Sequence, residues 1–514
     1  MGDSASKWAK LYKKLHKWPG LIIAMLLLYY AVTGIFMNHR EYFSGIDVSR
    51  NFLPANYKYH NWNNSAIKGN LILNNDSILV YGNIGVWLTD SNFKNYSSFN
   101  SGLPEGSDNR KVFDLHSSKE GNVYAATQFG LFAFDKKNSQ WNKFNLDVDI
   151  KRFVAIESVG DTLYVLNRSF LFKGKSAGIN TQFKKIELQQ PLDYKNKVSL
   201  FETIWQIHSG EIFGMPGKLF VDALGVISIF LSLTGITYFF FPGWIKRRKN
   251  SSKPVTPLVK ANRWTLKWHN KTGAWLFVCL IFLFFTGMFL RPPLLIAIAY
   301  LKVNPIKYSH LDQPNPWYDK LRDLKYDDTR NSFLLATSEG MYSMDKDELA
   351  PKVFQIQPPV SVMGINVLEP FYEGAYIVGS FSGLFLWHPA HPEIYNYAQG
   401  KIHTDNTTGK PIGEFKVTGL ITDFDGQQYM IDYDKGAIPL YHQKKYPEMP
   451  QNILEESKMS LWNLSLEIHT GRFFHFLLGD LYILLVPLSG LVAIVVVLSG
   501  YLLWRKKFRK PKTY

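Results

Sequence analysis

One pattern, used twice, restricts what this chain can fold into more than any other feature. His16 is followed after 4 and 18 residues by Gly20 and Gly34, and His269 is followed at the same spacings by Gly273 and Gly287. At about 100° per residue, each histidine and its two glycines fall on nearly one helix face. Thr33-Gly34 and Thr286-Gly287 extend the match. Both copies open long apolar runs, so the chain reads as a duplicated membrane unit.

Four apolar runs are long enough to cross a hydrocarbon layer of roughly 30 Å, which takes about 20 helical residues. They predict spans at 19–38, 219–241, 269–291 and 480–504. The first is expected to stay as an anchor, since its apolar run is too long for a cleavable leader and no small-residue cleavage pattern follows. Mean hydropathy is only −0.11 over 514 residues, so a large polar part must share the chain.

Charge sets the expected orientation. Segments 1–18 and 505–514, with the link that begins at 242 and runs to Lys271, hold 20 basic residues and one acid, Asp3. The remainder sums to −3 against +16 overall. By the positive-inside rule both termini and the central link, 242–268, are cytoplasmic. Because the excess sits beside membrane spans, it points to lipid and topology rather than to a nucleic acid. Two large loops are then expected outside the cytoplasm. The only cysteine, Cys279, lies in the third span, so neither a disulfide nor a cysteine-bound zinc can be built within one chain.

The outer loops, 39–198 and 292–459, are strings of short β-type runs separated by turn residues. Gly85-Val86-Trp87-Leu88 and Gly130-Leu131-Phe132-Ala133 stand 45 residues apart, and Gly340-Met341-Tyr342 and Gly383-Leu384-Phe385 stand 43 apart. That is the period of four-stranded propeller blades. Weaker copies lie at Thr162 to Lys173 and Gln428 to Tyr441. The expected fold class is membrane α plus β: a tandem repeat of two spanning helices, with an outer propeller formed from both loops or else two separate β domains.

A second duplicated element ends each loop, within segments 199–218 and 460–479. Ser199-Leu200 precedes His208-Ser209-Gly210 by nine residues, and Ser460-Leu461 precedes His469-Thr470-Gly471 by nine. Trp205, Phe213, Trp462 and Phe473 suggest amphipathic helices at the outer surface. Pro216 is expected to separate the first from its span. Two copies in the same orientation place His16 near His269 on the inner side and His208 near His469 on the outer side.

A lone histidine at a span end is ordinarily an interfacial ring. Paired histidines at matched positions of facing membrane helices instead suit a b-type haem, whose iron takes two axial imidazoles. Two such haems are expected, with Gly20, Gly34, Gly273 and Gly287 making room for the macrocycles. Zinc is disfavoured for want of a third ligand. His39 and His475 are second choices for the outer ligands, with a surface or supporting role the better reading.

His16 with Trp18 and Gly20 before a span ending in Thr-Gly, followed by a His-Ser-Gly or His-Thr-Gly element and a second span ending in Thr-Gly or Ser-Gly with basic residues, resembles the PepSY-associated transmembrane family. Similar members include two-haem siderophore-iron reductases of the inner membrane. The resemblance covers the four spans and their histidine elements. It implies that His16, His208, His269 and His469 are the family's histidines and that the acceptor is a ferric siderophore or other ferric chelate. These loops depart from the family's small α+β PepSY modules.

Other residues carry less. Asp222 and Asp480 lie at the outer ends of spans, where Lys218 and Arg472 are expected to pair with them. Pro487 is expected to loosen its span, and His388 and His391 to form an exposed turn. No dinucleotide or phosphate-loop motif is present. The electron donor is therefore expected to be a membrane quinol or a cytoplasmic reductase. The rival readings are a haem-free membrane receptor with a propeller-like ligand domain and a haem-free permease.

Overall fold

The computed structural model describes residues 2–191, 194–361, 364–404 and 413–508, with side chains from 7 to 506. Arg509, Lys510 and Lys512 of the basic tail lie outside these residues. The chain divides into two compact units, Met1–Phe43 with Asn196–Gln313 and Leu461–Tyr514, and Ser44–Lys195 with Pro314–Ser460.

In the first unit the helices are α1 (Gly2–Asn38), α2 (Leu200–Ser209), α3 (Gly214–Asn250), α4 (Thr256–Met288), α5 (Leu294–Ile298), α7 (Leu461–His469), α8 (His475–Leu478) and α9 (Leu485–Phe508); α6 (Gln451–Glu456) belongs to the second unit. Four helical stretches among the described residues are long and apolar enough to cross a membrane, Lys7–Asn38, Glu211–Asn250, Thr256–Met288 and Arg472–Lys506. α1 packs against α3 and α9, and α4 packs against the same two, so the four long helices close a ring. Their outward faces expose Ile22, Met25, Val226, Trp275 and Leu488, as suits helices whose solvent is lipid.

The helices outrun the apolar stretches. α1 has 37 residues, about 55 Å at 1.5 Å per residue, and carries its lysine-rich first turns as helix. α3 continues to Asn250 and α4 starts at Thr256, so only Ser251 to Val255 of the basic link is non-helical. One expectation about proline is corrected. The break between α2 and α3 comes at Gly210 (φ 81°) and Gly214 (φ 61°), while Pro216 lies in the first turn of α3, where its missing N–H costs nothing. Pro487 likewise stands in the first turn of α9, after a 3₁₀ segment at Gly479–Leu484.

Among the described residues the second unit holds six antiparallel meanders. Sheet 1 runs from Gly69–Asn74 to Tyr96–Ser98, sheet 2 from Val112–Ser117 to Gln140–Lys143, and sheet 3 from Phe153–Val159 to Lys184–Ile186. Sheet 4 runs from Leu321–Asp327 to Pro351–Val353, sheet 5 from Ile365–Tyr372 to Lys401–Ile402, and sheet 6 from Val417–Thr422 to Gly436–Leu440. The first strand of each sheet touches the first strand of the next, and the sixth returns to the first. One propeller-like ring therefore takes three blades from each loop, and the reading of two separate β domains is set aside.

Apolar side chains fill each gap between blades, as with Leu79 against Val112, Tyr124 against Phe153, Leu166 against Phe333, Leu334 against Leu368, Val367 against Leu420, and Trp87 with Tyr429. Middle strands such as Val123–Thr127 and Ala375–Ser380 are buried throughout, because each blade is covered on both faces. Asn70 closes the ring. Its amide donates to the Thr422 carbonyl at 2.8 Å and accepts from the Thr422 N–H at 3.0 Å.

Candidate functional site

The four histidines predicted to act together meet in two pairs within the helical unit. The rings of His16 and His269 lie 6.0 Å apart between centroids, at 70° to one another. Those of His208 and His469 lie 6.2 Å apart at 58°. α2 and α7 deliver the second pair. Each begins directly after a two-residue strand and ends on a left-handed glycine, Gly210 (φ 81°) or Gly471 (φ 79°), the glycine of the His-Ser-Gly and His-Thr-Gly elements.

Every one of these rings is held from behind by its Nδ1. His16 Nδ1 bonds the Val496 carbonyl at 2.8 Å, His208 Nδ1 the Leu283 carbonyl at 3.1 Å, and His469 Nδ1 the Tyr30 carbonyl at 3.0 Å. His269 Nδ1 is bonded to the Leu231 backbone and lies 3.0 Å from Thr234 Oγ1. A carbonyl can only accept, so Nδ1 carries the proton and Nε2 is left as a lone-pair donor. Fixing a ring through its second nitrogen is how metal-ligating imidazoles are oriented.

The backing elements are four copies of one dipeptide, and each lies on a helix of the other half of the chain. Thr33-Gly34 on α1 backs His469, Thr234-Gly235 on α3 backs His269, Thr286-Gly287 on α4 backs His208, and Ser499-Gly500 on α9 backs His16. The bonded carbonyl stands three residues before the hydroxyl residue each time. The threonine hydroxyls spend their protons on carbonyls of their own helix, as Thr234 does on Phe230 at 2.7 Å, and so accept from Nδ1. Ser499 also bonds its own helix, at Val496.

The glycines lie against the imidazoles. A Cβ on Gly34 would lie 3.2 Å from His469 Cε1, and one on Gly287 would lie 2.8 Å from His208 Cε1, so these two let the rings come close to their helices. Gly235 and Gly500, which the sequence reading did not select, do the same for His269 (3.4 Å) and His16 (2.7 Å). The recurring Thr-Gly or Ser-Gly dipeptide was the available signal. Gly20 and Gly273 face Val496 and Leu231 at 3.5 and 3.8 Å, ordinary contacts between helices.

The remaining candidates are placed elsewhere. His39 Nε2 lies 2.6 Å from Asp222 Oδ2, and the Asn38 amide donates to Asp222 Oδ1 at 2.9 Å. His475 lies 3.8 Å from the exposed Asp480 and packs on Tyr482. The pairs expected from Lys218 and Arg472 are corrected: Lys218 meets Glu211 at 3.1 Å, and Arg472 donates to Glu467 at 2.9 and 3.0 Å, because Asp222 is turned towards α1 and Asp480 is exposed. The His388 and His391 rings lie 4.3 Å apart in a turn of sheet 5. No group of three or more His, Cys, Asp or Glu suited to a metal ion occurs among the described residues. Each histidine pair supplies two imidazole donors, the number that an axially ligated haem iron takes.

A family profile described as the PepSY-associated TM region matches residues 3–240 and 243–507, dividing the chain where the repeat does. No curated protein matches the sequence. Among solved structures, the extracellular domain of a putative hybrid two-component system from B. thetaiotaomicron is 11% identical with a TM-score of 0.33, covering 75% of this chain and 40% of that one. A protein of unknown function from the same organism gives 8%, 0.37, 74% and 72%. PorZ of Porphyromonas gingivalis, titled a component of the type-IX secretion system, gives 11%, 0.32, 73% and 38%. The propeller-like architecture rests on the strand ladder alone.

Proposed function

We propose, from the premise that this chain belongs to the PepSY-associated transmembrane family, that it is a two-haem reductase of the bacterial inner membrane. In this reading both termini are cytoplasmic, the propeller is periplasmic, and the acceptor is a ferric siderophore or other ferric chelate. One observation carries it: in both pairs all four Nδ1 atoms are bonded by the opposite half of the chain, leaving two lone-pair Nε2 atoms per pair.

His16 and His269 would hold the inner haem, and His208 and His469 the outer one. Bound there, each haem supplies a one-electron couple. The protein's own residues do the rest. The carbonyls of Val496, Leu231, Leu283 and Tyr30 fix the tautomer and aim of the imidazoles, and the Thr-Gly or Ser-Gly elements let them approach the helices closely. Gly34 and His16 are 18 residues apart on α1, so the two pairs are spaced by about 27 Å along that helix. A quinol or a cytoplasmic reductase supplies electrons. Reduction of Fe(III) to Fe(II) loosens a hard oxygen-donor chelate, which releases the iron.

The test is the absorption of purified full-length protein, oxidised and dithionite-reduced, with haem counted per chain, followed by mixing of the reduced protein with a ferric hydroxamate. Two haems per chain and reoxidation by the chelate are expected. A colourless protein from a haem-replete host, or a reduced protein that the chelate leaves unchanged, overturns the reading and brings the receptor forward.

A further inference from the structure

The centre of the six-bladed ring carries a feature that electron transfer leaves unused. A cavity there, continuous with open solvent, is lined from the first strands of sheets 2 to 6 and, in sheet 1, by Tyr81 on the second strand and by Lys68 just before the first, so that Lys68, Asp114, Val154, Asp323, Glu369 and Leu420 each come from a different blade. The sequence gives no hint of it, because the residues are scattered from 68 to 420.

Two demands of opposite sign meet in this space. Lys325 lies 3.7 Å from Glu369 and is the ammonium that Asp114, Glu157 and Asp323 also surround. Four acidic groups thus crowd one cation, and burial raises Asp114 to about 6, Glu157 to about 7 and Asp323 well above its ordinary value. The acidic side lacks positive charge. Lys68 has the reverse deficit. Its amine makes no hydrogen bond or ion pair among the described residues, and it lies 5.2 Å from the Phe113 ring, which the Arg152 guanidinium covers at 4.1 Å. Burial, with Arg152 and Lys111 as like charges, draws Lys68 down to about 7. An inorganic anion answers only the second demand and an alkylammonium only the first.

We propose that this cavity binds a small zwitterion of the α-amino acid type, its carboxylate against the Lys68 amine and its ammonium among Asp114, Asp323 and Glu369. The binding is independent of the haem reading, since every residue involved belongs to the propeller unit.

Calorimetric titration of the full-length protein with glycine and L-alanine tests it, beside methylammonium and acetate as half-ligands. Saturable binding of at least one amino acid is expected, at least tenfold tighter than either half-ligand. Lys68→Met and Asp323→Asn should each weaken it at least tenfold, while Lys68→Arg retains it. Variants are compared only where their ligand-free melting matches the parent's. No binding of either amino acid, equal binding of acetate or methylammonium, or amino-acid binding unchanged by both Lys68→Met and Asp323→Asn overturns the proposal.

Discussion

His208 and His469 face each other at 6.2 Å although 261 residues separate them, and each is fixed by a carbonyl of the half to which it does not belong. They should act as one ligand set. His208→Ala and His469→Ala are each expected to remove the same haem, and His16→Ala and His269→Ala the other. Redox titration checks this, since one midpoint should vanish per pair. His39→Ala should keep both haems; loss of the outer one would reassign the ligands.

The glycines give a sharper contrast. Gly500→Ala places a methyl 2.7 Å from His16 Cε1 and 2.9 Å from its Nδ1, and Gly287→Ala places one 2.8 Å from His208 Cε1. Gly20→Ala and Gly273→Ala meet only ordinary contacts. Alanine improves helix propensity by about 1 kcal/mol in all four cases. Haem occupancy should therefore fall by more than half in the first two variants and stay at parent level in the others, read from the reduced spectrum per chain.

Asn70→Ala removes both side-chain bonds to Thr422, at 2.8 and 3.0 Å. Leaving these backbone groups without partners costs about 1–3 kcal/mol. The melting temperature should drop and proteolysis should begin between the first and last blades, as mapped by mass spectrometry of early fragments, with haem content unchanged.

The channel carboxylates predict a pH effect. Burial pushes the Asp114 carboxyl up from 3.8 to about 6, so the folded chain holds this proton more tightly than the unfolded one. The stability it contributes is present in full below about 3.8 and is lost as pH rises through 6. Asp114→Asn, which imitates the protonated acid, should raise the melting temperature more at pH 8 than at pH 5. Equal gains at the two pH values would refute the assignment.

The paired histidines and the blade period were legible because each occurs more than once in register, as with His16 and His269 or Gly85 and Gly130. Gly235 and Gly500 were less legible, because the second spans carry the same dipeptide without the His-to-Gly spacings of 4 and 18 residues that mark the first span of each half. Lys68, Asp114, Asp323 and Glu369 were invisible for a different reason. The cavity gathers between one and four residues from each blade, and no window along the chain contains the set. Asp222 was legible as a span-end carboxylate, but its partner His39 lies 183 residues away.

The six-bladed ring takes three blades from each half, and each histidine leans on the opposite half. A lone half would be left with an open arc of blades and unsupported imidazoles, whereas two copies of one half contain every part needed for the ring and for both pairs. Joining the halves in one chain fixes their ratio at one to one and lets the two copies of a position differ, as Thr234 and Ser499 do.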